Sequence, residues 1–219
     1  MAKVPGVADV KTRLRPVLTA PQCNALATCF LQDTISDLEN DFKNIIVAFT
    51  PERGYKNLHS MLSGKFQLTA QRGNSLGERL AAAIGDSFAG GFGPVIVIGT
   101  DSPTLPLDYI LRAVLHLQKH ANGVAIGPTE DGGYYLIGMS KRLDAAFENI
   151  SWSSDRVFEE TSRNIRKSGD VELLILPTWY DVDEPDDLRR LKSEFSSNDR
   201  TENRAARTRE WLAKFCPPL

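Results

Sequence analysis

Carboxylates and cations stand at the ends of apolar runs in this chain, where they could act on a charged small molecule. Asp101 lies in Gly99-Thr100-Asp101-Ser102-Pro103, directly after the apolar run Val95–Ile98. An acidic residue at the end of a buried strand, beside glycine and proline turns, can hold a hard divalent cation such as Mg2+ or Mn2+. It can equally cap the following helix or fix the turn. Asp181 and Asp183 occur in Trp179–Leu188 (WYDVDEPDDL), again just after a strand-like run. Two acidic strand ends can share one ion that bridges phosphates and offsets charge on a departing group. Asp186 and Asp187 fall in the first turn of the next helix, where the helix dipole favours acids.

Lys3, Lys11 and Arg13 share the loop Lys3–Leu14 (KVPGVADVKTRL). Several cations among glycine, proline and backbone amides suit a polyphosphate, although GxxxxGK[ST] is absent and a basic surface loop has the same composition. Gly127–Tyr135 (GPTEDGGYY) links two strands. There Glu130 and Asp131 could orient an acceptor hydroxyl or take its proton, and Gly132 and Gly133 would admit a ligand closely. A self-bonded Asx turn is the structural alternative. Tyr134 and Tyr135 must point to opposite faces of a regular strand, so at most one lines a pocket. Gln71 and Arg79 flank a helix start, with Arg79 reaching either a phosphate or a local carboxylate. Trp152 is a sugar or base platform, or the hydrophobic staple of the helix after it. His59, His116 and His120 lack metal-ligand spacing and give no support to a histidine triad.

Alternating elements must position these groups. Apolar residues at three- and four-residue steps predict a helix after Pro21, and Ile45–Phe49 reads as a buried strand. A weak helix over Tyr55–Leu62 and a strand over Phe66–Thr69 follow. Ser75-Leu76-Gly77-Glu78 fits a capping box opening a helix that ends before Gly90–Gly93. Val95–Ile98, Gly123–Ile126, Tyr134–Ile137 and Val171–Leu176 read as strands. Leu107–Lys119, Asp155–Lys167 (capped by Ser153 or Ser154), the segment from Pro185 through Leu191, and Arg204–Phe215 read as helices. The expected architecture is a three-layer α/β sandwich with a mostly parallel central sheet, in which ligands sit beyond the carboxyl ends of the strands. One domain over residues 1–192 is expected, followed by a polar linker and short helix over 193–219.

Composition narrows the function classes. The 219 residues are 42% hydrophobic and 25% charged, with 26 Lys+Arg against 28 Asp+Glu, so a dominant nucleic-acid surface is not expected. No apolar run is long enough for a transmembrane span, and no apolar h-region follows Met1. Cys23, Cys29 and Cys216 share no CxxC spacing, which points to a reducing, cytoplasmic setting without a disulfide or zinc scaffold.

The ordered motifs KVP…KTRL, QRGNSLGER, VIVIGTDSPTLP, IGPTEDGGYYLIG, a Trp-Ser helix start and WYDVDEPDDL resemble the DUF2064 family, over Lys3 to about Leu191. That family is glycosyltransferase-like and belongs to the nucleotide-diphospho-sugar transferase (GT-A) folds. It is similar more distantly to the guanylyltransferase that activates 2-phospholactate and to molybdenum-cofactor nucleotidyltransferases. The resemblance implies phosphate contacts from Lys3, Lys11 and Arg13, and metal ligands at Asp101 and at Asp181 or Asp183. It places Gln71 and Arg79 on the nucleotide side, and Asp131, Gly132 and Gly133 toward the acceptor. The implied partners are a nucleotide sugar or nucleoside triphosphate plus a small-molecule acceptor. Glycosyl transfer breaks a sugar C–O bond; nucleotidyl transfer attacks the α-phosphorus and releases pyrophosphate. A non-catalytic nucleotide- or protein-binding module is the third expectation.

Three departures from the family pattern carry expectations of their own. Ala8 stands where glycine is usual, which would redirect the phosphate loop. Glu184 replaces the usual threonine before Pro185, and as a poor N-cap it would draw Asp183 into capping the helix. Only Met1 and Ala2 precede Lys3, so the family's first strand is expected to be missing, as in a truncated gene product.

Overall fold

The structure, a computed structural model, describes residues 1–196 and 204–215. In chain order the elements are β1 (Ala2–Lys3), α1 (Ala20–Glu39), β2 (Ile46–Thr50), α2 (Tyr55–Met61), β3 (Gln67–Ala70), α3 (Leu76–Ala89), β4 (Val95–Ile98), α4 (Leu107–Lys119), β5 (Gly123–Pro128), β6 (Tyr134–Met139), α5 (Val157–Lys167), β7 (Glu172–Ile175), α6 (Pro185–Ser196) and α7 (Ala206–Phe215). They form two compact units. One holds Met1–Ala70, Thr100–Thr104 and the chain from Asp181 onward; the other holds Gln71–Gly99 and Leu105–Tyr180. No helix among the described residues is long and apolar enough to cross a membrane.

In the first unit β1, β2 and β3 lie in that order, all parallel. The expected missing strand is corrected here: Ala2 and Lys3 pair with Phe49 and Thr50, and the Val4 amide continues the ladder to the Thr50 carbonyl at 2.8 Å. Thr19 and Gln22 form a capping box at the start of α1, with Pro21 in the first turn. Leu31 and Ile35 of α1 then pack with Val4, Val47, Phe49 and Leu58 in a buried cluster.

The carboxyl-terminal helix is fastened to α1 by one buried acid. Asp33 accepts from the backbone N–H groups of Arg207 (3.1 Å) and Thr208 (2.8 Å), and from the Thr208 hydroxyl (2.7 Å). A carboxylate on one helix thus satisfies the open amides at the start of another, where the helix dipole also favours negative charge. Trp211 and Leu212 are buried, while Phe215 is exposed. The linker expected from residue 193 is corrected at its start, where residues 193–196 continue α6, and its residues 197–203, with Cys216, lie outside the described residues.

In the second unit the strand order is β4-β6-β5-β7, and only the β5–β7 pair is parallel. The expectation of a mostly parallel sheet is therefore corrected for this unit: β6 runs antiparallel to both neighbours. The cause is the short connection between β5 and β6, because a parallel crossover needs a dozen or more residues. Helix α5 starts at Val157, two residues later than expected, with Arg156 rather than a serine at the N-cap position. The Ser154 hydroxyl instead closes the preceding turn, donating to the Ser151 carbonyl at 2.6 Å and accepting from the Arg156 amide at 3.2 Å.

Asp33→Ala leaves the amides of Arg207 and Thr208 without their acceptor. The expected loss is about 2–4 kcal/mol in urea unfolding. Faster amide exchange should be concentrated in α7.

Candidate functional site

The segments at residues 4–14, 100–104 and 181–187 of the first unit bring together one lysine and three aspartates. The chain turns at Gly6 (φ +77°), where a side chain would meet open space, and the Val7 and Ala8 amides close back on the Val4 carbonyl at 3.2 and 2.9 Å. Because Gly6 takes the positive φ, Ala8 does not have to. Lys11 then adopts a left-handed backbone (φ 49°, ψ 40°) ahead of a single 3-10 turn over Thr12–Leu14. Leu14 is fully buried and anchors that turn.

This backbone sends the Lys11 side chain inward, leaving it 3% exposed. Its ammonium contacts the Asp101 carboxylate, the Asp183 carboxylate at 3.1 Å and the Val182 carbonyl at 2.8 Å. The face of Phe30 lies 5.1 Å from the nitrogen and adds a cation–π contact. Burial alone would lower the Lys11 pKa, but Asp101 and Asp183 outweigh it and hold the ammonium above its ordinary range. The Val182 amide donates to the Asp101 carbonyl at 2.9 Å, tying the two acidic segments together through the backbone.

The three carboxylates are not equivalent. Asp101 and Asp183 are half exposed and share the lysine. Asp181 is desolvated, which pushes its carboxyl up to about 7; the hydroxyl of Ser102 donates to it and partly opposes the shift, while Asp101 and Asp183 add to it. Asp183 is not the helix cap expected from the weak Glu184. Asp187 reaches back instead, accepting from the amides of Asp183 (3.1 Å) and Glu184 (2.8 Å), so the Asp183 carboxylate remains on Lys11. Arg13 is exposed, with Glu184 at 3.8 Å, and Lys3 is exposed at the end of β1.

Among the described residues, no group of three or more His, Cys, Asp or Glu side chains makes a ready metal cage. What exists is a pair of carboxylates converging on one cation position. That donor set fits Mg2+ or Mn2+ brought in with phosphate oxygens, since Mg2+ keeps waters and takes only one or two protein carboxylates in such sites.

The other expected site residues lie in the second unit. Asp131 accepts from the Thr129 hydroxyl at 2.5 Å and the Gly133 amide at 3.1 Å, an Asx-type turn. Gly132 (φ +86°) has the Asp155 backbone so close that a Cβ would stand 2.0 Å from its carbonyl oxygen. The Tyr134 hydroxyl is buried beside Thr161. Trp152 packs its ring on Gly77 of α3, where a Cβ would lie 2.6 Å from the indole. Arg79 donates to the Gly73 carbonyl at 3.0 Å, and Gln71 follows β3. Sequence reasoning did not single out Ser102, Phe30 or the Val182 carbonyl, and it read Asp187 as a first-turn acid favoured by the helix dipole, without its contacts to the Asp183 and Glu184 amides. Only Ser102, adjacent to Asp101 in the same motif, had a local signal.

A family model described as an uncharacterized protein conserved in bacteria (DUF2064) matches residues 34–154, more than half of the chain. A solved structure of a proposed nucleotide-diphospho-sugar transferase from Desulfovibrio desulfuricans superposes with a TM-score of 0.88 at 31% identity, covering 96% of this chain and 90% of that one. Molybdopterin-guanine dinucleotide biosynthesis protein A from Archaeoglobus fulgidus gives a TM-score of 0.51 at 14% identity, covering 90% of this chain and 97% of that one, a likeness of fold alone. No curated protein matches the sequence significantly.

The raised Asp181 carboxyl makes stability depend on pH. Between the unfolded value of 3.8 and the folded value of about 7, the folded chain keeps a proton that the unfolded chain has released. Stability therefore falls as pH rises through that window and levels off above it. Asp181→Asn, which can still accept from Ser102, is expected to remove this slope. Its melting temperature should match wild type near pH 4 and exceed it by several degrees at pH 8; equal differences at both values would refute the assignment.

Proposed function

Because the chain belongs to the DUF2064 family and has an α/β fold related to the nucleotide-diphospho-sugar (GT-A) transferases, we propose that it is a divalent-metal-dependent transferase that uses a nucleotide-activated substrate. The observation that carries this reading is the convergence of Asp101 and Asp183 on one cation position, held by the loop that contains Lys11 and Arg13. Glycosyl transfer from a nucleotide sugar to a small-molecule acceptor is the specific reaction we favour, supported by the 31% identical relative whose description names that class.

Under this reading Asp101 and Asp183 hold Mg2+ or Mn2+, and Asp181 adjoins them as a carboxyl that gives up its proton near neutral pH. The bound cation would offset negative charge on the diphosphate that leaves. Lys11 supplies a buried positive charge beside the carboxylates and Arg13 a planar, solvent-exposed fork, two complementary ways to bind phosphate oxygens. The two acidic segments are tied by the Val182–Asp101 backbone bond, so the spacing of the carboxylate pair is set before a ligand arrives.

Calorimetric titration with GDP, UDP and CDP in the presence of Mn2+ tests the binding half of the proposal. At least one should bind, and Asp101→Asn and Asp183→Asn should each weaken it by roughly 10-fold or more. Loss of all three nucleotides by the folded wild-type chain would end both enzyme readings and leave a partner-binding module. For chemistry, nucleoside diphosphate released from a sugar nucleotide supports glycosyl transfer. Pyrophosphate released from a nucleoside triphosphate would replace it with nucleotidyl transfer.

A further inference from the structure

Lys11 and a divalent cation have claims on the same oxygens. The lysine ammonium has three N–H donors and three protein acceptors: Asp101, Asp183 and the Val182 carbonyl. It is therefore satisfied without solvent, and almost its whole side chain is buried. Two further features hold it there. The left-handed backbone at Lys11, unusual for a residue with a side chain, aims the stem inward, and the Phe30 ring closes one side of the ammonium. Arg13, two residues on, is exposed and makes no such claim on the pair.

We propose that Lys11 is an internal counter-ion that occupies the Asp101–Asp183 pair and excludes a divalent cation until phosphate oxygens draw the ammonium away. The inference rests on the reading that this pair takes the metal, and it adds an order to binding. An ammonium and a divalent ion cannot both contact the same two carboxylates without strong mutual repulsion. Metal alone must therefore evict the lysine from three good acceptors and return it to water. A metal arriving with a diphosphate offers the ammonium new oxygens in exchange for the old ones. By linkage the effect is reciprocal: the ligand that removes Lys11 raises metal affinity, and the metal raises affinity for that ligand by the same factor. The device would keep the site from filling with free metal and would make the metal–nucleotide complex its proper occupant.

The test is Mn2+ binding to the full chain without nucleotide, followed by electron paramagnetic resonance of free Mn2+. Lys11→Met keeps the length of the side chain and removes its charge. It should bind Mn2+ at least ~10-fold more tightly than wild type, and the gain should vanish in Lys11→Met/Asp101→Asn. Equal Mn2+ affinity in wild type and Lys11→Met would overturn the counter-ion role while leaving the metal site standing. No Mn2+ uptake by either protein, with or without GDP, UDP or CDP, would overturn the metal reading and this inference with it.

A second measurement needs no variant and stands if Lys11→Met does not fold. Reductive methylation of Lys11 in the wild-type chain, read by peptide mass spectrometry against exposed Lys3, should be slow alone. It should accelerate several-fold once Mn2+ is bound. Bound Mn2+ with Lys11 still protected would overturn the exchange.

Discussion

The burial of one ammonium between two carboxylates organises the loops of the first unit. Lys11 lies 172 positions from Asp183 in the sequence, yet the two are 3.1 Å apart. An unpaired buried lysine would be strongly unfavourable, so the loop over residues 4–14 can keep its path only if both acidic segments close on it. The Val182–Asp101 backbone bond, the Gly6 turn and the buried Leu14 serve that closure. So does Asp187, which takes the Asp183 and Glu184 amides just ahead of α6 and leaves the Asp183 carboxylate for the lysine. Each contact is modest alone; together they hold the ammonium on the carboxylate pair.

Much of the fold was legible because it follows from local periodicity and from chain length. Val95–Ile98 and Leu107–Lys119 have the bounds read from the sequence, and most other elements agree within a few residues. The antiparallel place of β6 was also legible in principle, since the few residues between Pro128 and Tyr134 cannot make a parallel crossover. The expectation of a mostly parallel sheet overlooked that limit. At the other end of the chain, β1 needed no apolar run. Two residues beside β2 pair through their backbone, which a search for hydrophobic strands does not register.

The candidate site was legible as a list of residue types and not as a set of contacts. Asp101, Asp181, Asp183 and Lys11 were all singled out, but their partners were not, because no spacing rule relates residues so far apart in sequence. Trp152 shows the same limit from the other side. Its place before a helix suggested a staple for that helix, whereas its ring fills the space left by Gly77 in α3. A glycine in a first helical turn can mark close approach by a distant side chain, and only the fold shows which one. Arg79, in the first turn of α3, and Asp131, in the loop between β5 and β6, likewise found backbone partners a few residues away.

The split among the three aspartates shows how one short acidic segment can supply different chemical groups. Asp181 and Asp183 are two residues apart, with the fully buried Val182 between them. Asp183 meets a positive charge and keeps a half-exposed carboxylate, the form that a hard cation requires. Asp181 meets Ser102, loses most of its hydration and faces two negative neighbours, so its proton is retained to about pH 7. Loss of the Asp181 proton adds a negative charge to a cluster in which one ammonium already serves both Asp101 and Asp183. A divalent cation in place of the ammonium would absorb that charge. Desolvation, by holding Asp181 neutral, therefore opposes the more highly charged occupant, and so do the lysine's three satisfied bonds; loss of the Asp181 proton favours it.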